Sequence, residues 1–478
     1  MSHAEGNIKS NLDLVNDSIP RLFLNYFIPM ILAMLAMASY ATADGIFVNK
    51  KLGDEAMKAI VAVWPIFPIT MACSLMFSFG GASLISYYLA KGKKHIACVI
   101  FSSIFYVLFC LSLLIGGLCY VYASFIVDFF VNGLTLEVHN MAVDYLRGIC
   151  VGLFGIVLHP VLDICVVNDR RPRFAMFAMF LGAGSNIILN YFFLFVWEFG
   201  IIGSAYATTL GHIIGSTILL WHYIESKYRN MLLSFWSPNL ATKIRNFIVD
   251  KKGDLCFVPI FKLSFVIRAI KYGSPYAASE ASVGIVMWLY NRILKDIGGE
   301  NALAIYSVVL YAGFNFFTFL IALAESIQPI ASFNYGMRQF IRLKQILRFY
   351  IYIALAISCT LYIIFFVCDD FVVSLYLKDS TLKEQSAIAL KVYFIGYLFL
   401  SYNLIIAFYL QSLQKAFASF IVTFSYTFAF IVVLLPIATH YYGITGAWIA
   451  YPISQCLALC VSILVLKNTT KTLKLKIV

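Results

Sequence analysis

Charge is what this sequence has least of. Asp, Glu, Lys and Arg make up 12% of its 478 residues, against 62% hydrophobic residues and a mean hydropathy of +0.87. A soluble domain carries about a quarter charged residues, so a soluble globular protein is excluded. No HExxH, CxxC or GxxxxGK(S/T) occurs, which removes the usual motifs of zinc hydrolysis and P-loop nucleotide hydrolysis. No basic, aromatic-interleaved domain stands apart from the apolar runs, so the net charge of +12 does not indicate nucleic acid. The seven His are scattered. The expectation is a non-enzyme with no cofactor, no metal site and no catalytic residues.

A disulfide framework is also missing. Eleven Cys is an odd number, and all but Cys256 lie inside apolar stretches, where inert buried thiols are expected. The first apolar run is long and lacks a small-residue cleavage site, which reads as a retained helix rather than a signal peptide.

What is present is a series of long apolar runs. A spanning helix needs about 20 such residues. Runs of that size are expected at 22–48, 57–89, 95–120, 141–166, 173–196 and 200–224, then at 266–294, 302–334, 344–368, 387–411, 417–438 and 443–466. The halves resemble each other. Gly53-Asp54-Glu55-Ala56-Met57 lines up with Gly299-Glu300-Asn301-Ala302-Leu303 at an offset of 246, and Gly200 to Ala207 lines up with Gly443 to Ala450 at 243. Six crossings per half return the chain to its starting side, so the repeats are parallel and related by an axis along the membrane normal. The expected fold is an all-α polytopic membrane protein of twelve transmembrane helices. It has an N-terminal six-helix bundle (1–224), a cytoplasmic linker (225–265) and a C-terminal six-helix bundle (266–478).

Basic residues give the orientation. With the N-terminus inside, 26 of the 35 Lys and Arg fall on inner segments, so both termini are expected in the cytoplasm.

Ionisable groups within a span are costly and become functional candidates. Asp44 follows a charge-free run from Leu22 and is still followed by Gly45-Ile46-Phe47-Val48. Asn186 and Asn190 are spaced i,i+4 and share one helix face. At 1.5 Å per residue, Asp44, Asn190 and Thr208 lie roughly 6–12 Å below the outer boundary. Together with Asn186 they make a candidate proton or cation site, against the alternative of interhelical hydrogen-bond glue. Glu280 sits near the middle of helix 7, where snorkelling to an interface is hardest. Glu325 and Asp163 rank below it, being nearer the cytoplasm and able to pair with basic loop residues. His159 and His212 are expected to pack.

These pieces resemble the bacterial branch of the multidrug and toxic compound extrusion (MATE) family. The resemblance rests on Asp44-Gly45-Ile46-Phe47-Val48, Asn168-Asp169-Arg170-Arg171-Pro172, Gly184-Ser185-Asn186-Ile187-Ile188-Leu189-Asn190 and Ala207-Thr208. In the second half it rests on Asn291-Arg292, Gln328-Pro329-Ile330 and Asn334-Tyr335-Gly336. It implies a secondary antiporter of the bacterial inner membrane, expelling amphipathic or cationic organic compounds against proton or sodium flow, with the proton favoured. It also implies that Asp44 is the coupling carboxylate, with Asn186 and Thr208 as polar partners and Glu280 as a helix 7 coupling glutamate. Asn190 stands where many relatives carry a second aspartate, and Arg170 where Gly is usual. The expected partners are small organic substrates and membrane lipid, with no nucleic acid and a monomeric state. A flippase for a lipid-linked precursor is the alternative. It would need cationic residues in the cleft, and Arg147 and Arg292 are the candidates.

The orientation has a direct test. A cysteine at Asn239 on a Cys-free background should resist an impermeant thiol reagent added to intact cells and react after permeabilisation; labelling from outside would invert the topology.

Overall fold

In hydrocarbon no water can pair with a free N–H or C=O, so a chain this apolar must close its backbone hydrogen bonds within helices. The computed structural model describes residues 13–63, 66–130, 135–224, 253–374 and 380–472, and among these there is no β-strand. The first half runs α1 (Ile19–Leu52), α2 (Asp54–Val63), α3 (Ile66–Ala90), α4 (Lys94–Val121), the short α5 (Ala123–Phe130), α6 (Leu136–Val151), α7 (Leu153–Asn168), α8 (Pro172–Tyr191) and α9 (Ile201–Tyr223). The second runs α10 (Leu263–Gly336), α11 (Phe340–Val367), the short α12 (Asp369–Ser374), α13 (Ser380–Ser412), α14 (Ala416–Phe424) and α15 (Phe430–Thr472). Single π-turns extend α8 through Phe192–Val196 and join α14 to α15 through Ser425–Ala429.

The twelve expected crossings map onto these elements. Eight stretches are long and apolar enough to cross on composition alone, and the pair α6 and α7, bent by 51°, makes a ninth. One of the eight, Ala416–Lys471, holds two crossings, because α15 leaves helical geometry at Gly443. The other two crossings are α9 and the first part of α10, which ends at Gly299. They are the ones that carry Thr208 and Glu280. The protein is an all-α integral membrane protein of twelve crossings in two six-helix bundles. The run expected at 141–166 as one helix is broken at Gly152, which leaves helical geometry (φ −110°, ψ 17°) where the chain abuts α9. A Cβ there would lie 2.4 Å from Thr209.

The internal repeat is written in the backbone. Nine described residues have positive φ, and eight of them form four pairs across the halves: Gly53 with Gly299, Gly92 with Arg338, Arg170 with Gln414, and Gly200 with Gly443. The left-handed region costs an L-residue roughly 1–2 kcal/mol, so Arg170, Arg338 and Gln414 hold corners that glycine would fill without strain.

The bundles meet backbone to backbone where the middle of α3 crosses the start of α10. Gly80 faces the Ala269 carbonyl and Gly273 the Met76 carbonyl; an added Cβ would sit 1.9 and 1.7 Å from those oxygens. Around this backbone contact, Phe79 stacks on Tyr276 with centroids 4.3 Å apart, and Asn168 donates to Gln328 Oε1 at 3.0 Å.

Of the expected linker, residues 225–252 lie outside those described. Residues 253–262 run as a strap against the first bundle. The Asp169 carboxylate accepts the N–H groups of Asp254 and Leu255 at 2.9 and 3.0 Å. It also bonds buried His222 at 2.7 Å, while Arg170 donates to Asp254 Oδ2 at 2.7 Å. Ser102 and Ser103 Oγ accept from Val258 and Lys262 N–H at 2.9 and 3.0 Å. Phe257 packs on Phe101 and Phe105. Cys256, read from sequence as lying in polar text, has its Sγ 3.2 Å from that of Cys98.

That proximity gives a test of the strap. In a variant retaining only Cys98 and Cys256, mild oxidation should cross-link the two in good yield, seen as one linked peptide by mass spectrometry. Absence of the link would remove the strap from its groove.

Candidate functional site

Helices α1, α8 and α9 pack together, and their polar residues meet in two rungs. In the first, Asn190 Nδ2 and Ser204 Oγ both donate to Asp44 Oδ1, the serine at 2.7 Å. In the second, one turn along both helices, Asn186 Nδ2 donates to Thr208 Oγ1 at 3.4 Å. The i,i+4 spacing of Asn186 with Asn190 is answered by the same spacing of Thr208 with Ser204. The two rungs are thus about 6 Å apart. Asn186, Asn190, Ser204 and Thr208 are all buried.

Asp44 and Thr208 line a cavity of about 910 Å³, counted out to its open mouth, that lies within the first bundle. Its walls are largely apolar, including Ile60, Phe67, Met71, Leu146 and Ile149, with Thr70 and Tyr145 adding hydroxyls. Asn190 and Ser204 do not line it. They stand behind the carboxylate. Asn186 Oδ1 and Asn190 Oδ1 are buried with no donor, one in the rung of the carboxylate and the other one helical turn away. Interhelical glue accounts for the second rung; it does not account for an aspartate at the edge of a cavity.

The four residues expected together in the N-terminal bundle are therefore together. Ser204 was missed, although the spacing applied to the two asparagines would have found it next to Thr208. Glu280 belongs elsewhere. It lines a smaller cavity, about 370 Å³ on the same count, with Tyr276, Phe317, Phe408, Gln411 and Tyr426 of the second bundle. The expected pairing of Glu325 and Asp163 with basic residues is not found among the described residues. Glu325 accepts from Tyr276 Oη at 3.3 Å, and Asp163 Oδ1 is buried without a partner. His159 packs 5.4 Å from the His212 ring and meets Ser216 at 3.3 Å. The adjacent acids Asp369 and Asp370 divide, with Asp369 paired to Lys391 at 2.7 Å. Arg147 lies over Tyr120 and Arg292 over Trp288, each next to its own ring rather than converging on one anion.

The repeat makes the site more telling. At the offsets of the two halves, Asp44 corresponds to Tyr290 and Ser204 to Ala447. Those residues also meet: Tyr290 Oη donates to the Ala447 carbonyl at 3.2 Å. The fold supplies this helix contact twice, and only the first copy carries a carboxylate.

Comparison with known proteins now bears on these features. The family model MatE matches the chain twice, at residues 29–192 and 275–437. The two matches begin 246 residues apart, the offset of Gly53 and Gly299. The chain is 22% identical over 383 residues to the multidrug export protein MepA of Staphylococcus saprophyticus, covering 78% of this chain and 77% of that protein. It is 23% identical over 381 residues to MepA of Staphylococcus haemolyticus, with the same coverage. Among solved structures, a MATE protein in complex with MaL6 superposes with a TM-score of 0.85 at 22% identity, over 96% of this chain and 98% of that one. An outward-facing MATE transporter of the MOP superfamily gives 0.83 at 22% identity, over 97% and 99%.

The first rung can be weighed apart from any activity. Asn190→Ala should lower stability by about 1–3 kcal/mol, the range for removing one partner from a buried charged hydrogen bond. Combined with Asp44→Asn, its effect should fall well short of additive. Thermal unfolding of purified protein in detergent measures both, and additive losses would show that the two side chains do not interact.

Proposed function

Because this chain belongs to the MatE family, we propose that it is a secondary active efflux transporter, expelling amphipathic or cationic organic compounds in exchange for an inward-moving cation. One arrangement supports the reading most: Asp44, inside a crossing, lines a cavity and is held by neighbours that carry no charge. A lone charge at this depth is expensive unless something neutralises it. A cation that arrives from one side and leaves to the other does so reversibly. The relatives named multidrug export proteins agree with this direction of transport.

The proton is the favoured cation. With Asn190 in place of a second carboxylate, the site holds one formal negative charge, and a single proton discharges it. Sodium is the second reading, favoured by a different observation. The unpartnered Asn186 Oδ1 and Asn190 Oδ1, with the Asp44 carboxylate, offer the oxygen ligands that a hard cation takes. Glu280, beside the aromatic rings of the second cavity, is the further candidate for coupling or for holding a substrate cation.

Alternating access follows in outline. The bundles are pressed together at one end and the Asp44 cavity lies towards the other, so discharging Asp44 can bias the packing only if the two states hold the cation with different affinity. The reading places the protein in the bacterial inner membrane with both termini inside, acting as a monomer.

Efflux from vesicles containing the purified protein tests all of this. The wild type should respond to a pH step in the absence of sodium, and Asp44→Asn should reach the membrane, bind substrate and fail in gradient-driven efflux. Wild-type rates in that variant would remove Asp44 from the mechanism. A response to a sodium step alone, unaffected by protonophores, would replace the proton with sodium.

A further inference from the structure

The two donors to Asp44 end on the same oxygen. Asn190 Nδ2 and Ser204 Oγ both reach Oδ1, from residues that are fully buried and lie behind the carboxylate. The cavity, with Thr208 on its wall, lies in front. An oxygen that already accepts two hydrogen bonds is a poor place for a further proton, and an amide N–H₂ cannot turn round to accept one. Oδ2 is left as the atom open to exchange.

We infer that Ser204 is a positioning residue for Asp44: with Asn190 it pins Oδ1 and so presents Oδ2 to the cavity as the oxygen that gains and loses the proton. The inference rests on the proton reading above and deepens it. The residue matching Ser204 in the second half is Ala447, and its side chain makes no such bond. The contact between these helices therefore does not need a hydroxyl at the Ser204 position: in the second half the bond runs from Tyr290 Oη to the Ala447 main-chain carbonyl, and the side chain at 447 takes no part.

Among the described residues, the side chains hydrogen-bonded to Asp44 are Ser204 and Asn190, and neither carries a charge. Around the cavity, α4 and α6 bring Cys119, Tyr145 and Cys150. At the end of α1, Lys51 is paired with Glu198 at 2.7 Å. Glu55 stands at the start of α2, Tyr191 ends α8, and Tyr206 and His212 lie on α9.

A donor to a carboxylate favours its ionised form. Removing the donor makes Asp44 hold its proton more tightly, so any profile that depends on its ionisation moves to higher pH. The test measures ethidium efflux from vesicles against outer pH for wild type, Ser204→Ala and Ser204→Thr. The alanine variant should shift the half-maximal pH upward by about one unit, the size expected for one hydrogen bond to a charged group. The threonine variant, which keeps the hydroxyl, should stay with the wild type. A second measurement needs no transport. Dicyclohexylcarbodiimide modifies buried carboxyls in their protonated form, and the pH at which labelling of the Asp44 peptide is half lost should move in the same direction. An unshifted alanine variant, or a threonine variant shifted as far, would overturn the inference and leave Ser204 a packing residue. Asp44→Asn in the same vesicles separates the two claims. If it abolishes driven efflux while Ser204→Ala is unshifted, only this inference falls; if it transports normally, the reading of Asp44 falls too.

Discussion

Two glycines facing two carbonyls hold this molecule in its observed state. In lipid there is no hydrophobic drive between apolar helices, and association rests on close van der Waals packing and hydrogen bonds. Gly80 against Ala269 and Gly273 against Met76 allow α3 and α10 to meet backbone to backbone. The aromatic stack of Phe79 on Tyr276 and the Asn168–Gln328 bond add to the same junction between the bundles. With the bundles joined there, the Asp44 cavity lies on the far side of the closure.

The duplicated fold and the unduplicated site belong together. Four pairs of left-handed corners repeat across the halves, and so does the contact between the first and sixth helices of each. Chemistry does not repeat. Asp44 and Ser204 face each other in one half, Tyr290 and the Ala447 carbonyl in the other. A common scaffold thus gives two cavities of different character. One is bounded by a carboxylate with amides and a hydroxyl behind it, and the other holds Glu280 among rings.

Much of this was legible in the sequence because apolar length and internal repetition are properties of the chain itself. The run expected at 344–368 is α11, Phe340–Val367, and the offset of Gly53 and Gly299 marks two matching corners. Asp44 stood out because a carboxylate has few reasons to interrupt such a run. What stayed hidden depends on how helices rotate against one another. Tyr276 reaches Glu325 on a different crossing, and nothing in the spacing of either residue says so. The break at Gly152 lies against a side chain on α9, and the strap is fastened by Ser102, Ser103 and Cys98 from inside an apolar helix. Those residues read as unremarkable until their partners are in place.

The strap has a mechanical consequence. It is fastened to the first bundle as far as Lys262, and α10 starts at the next residue. A rocking of the second bundle that leaves the strap in its groove would therefore turn about that junction, at one face of the molecule, and not about its centre. From Leu263 to the corner at Gly299 the helix is a lever roughly 54 Å long. A rotation of only ten degrees at the pivot carries the far end through roughly 9 Å on that length, enough to open or shut a passage for an organic molecule while the fastened end barely moves.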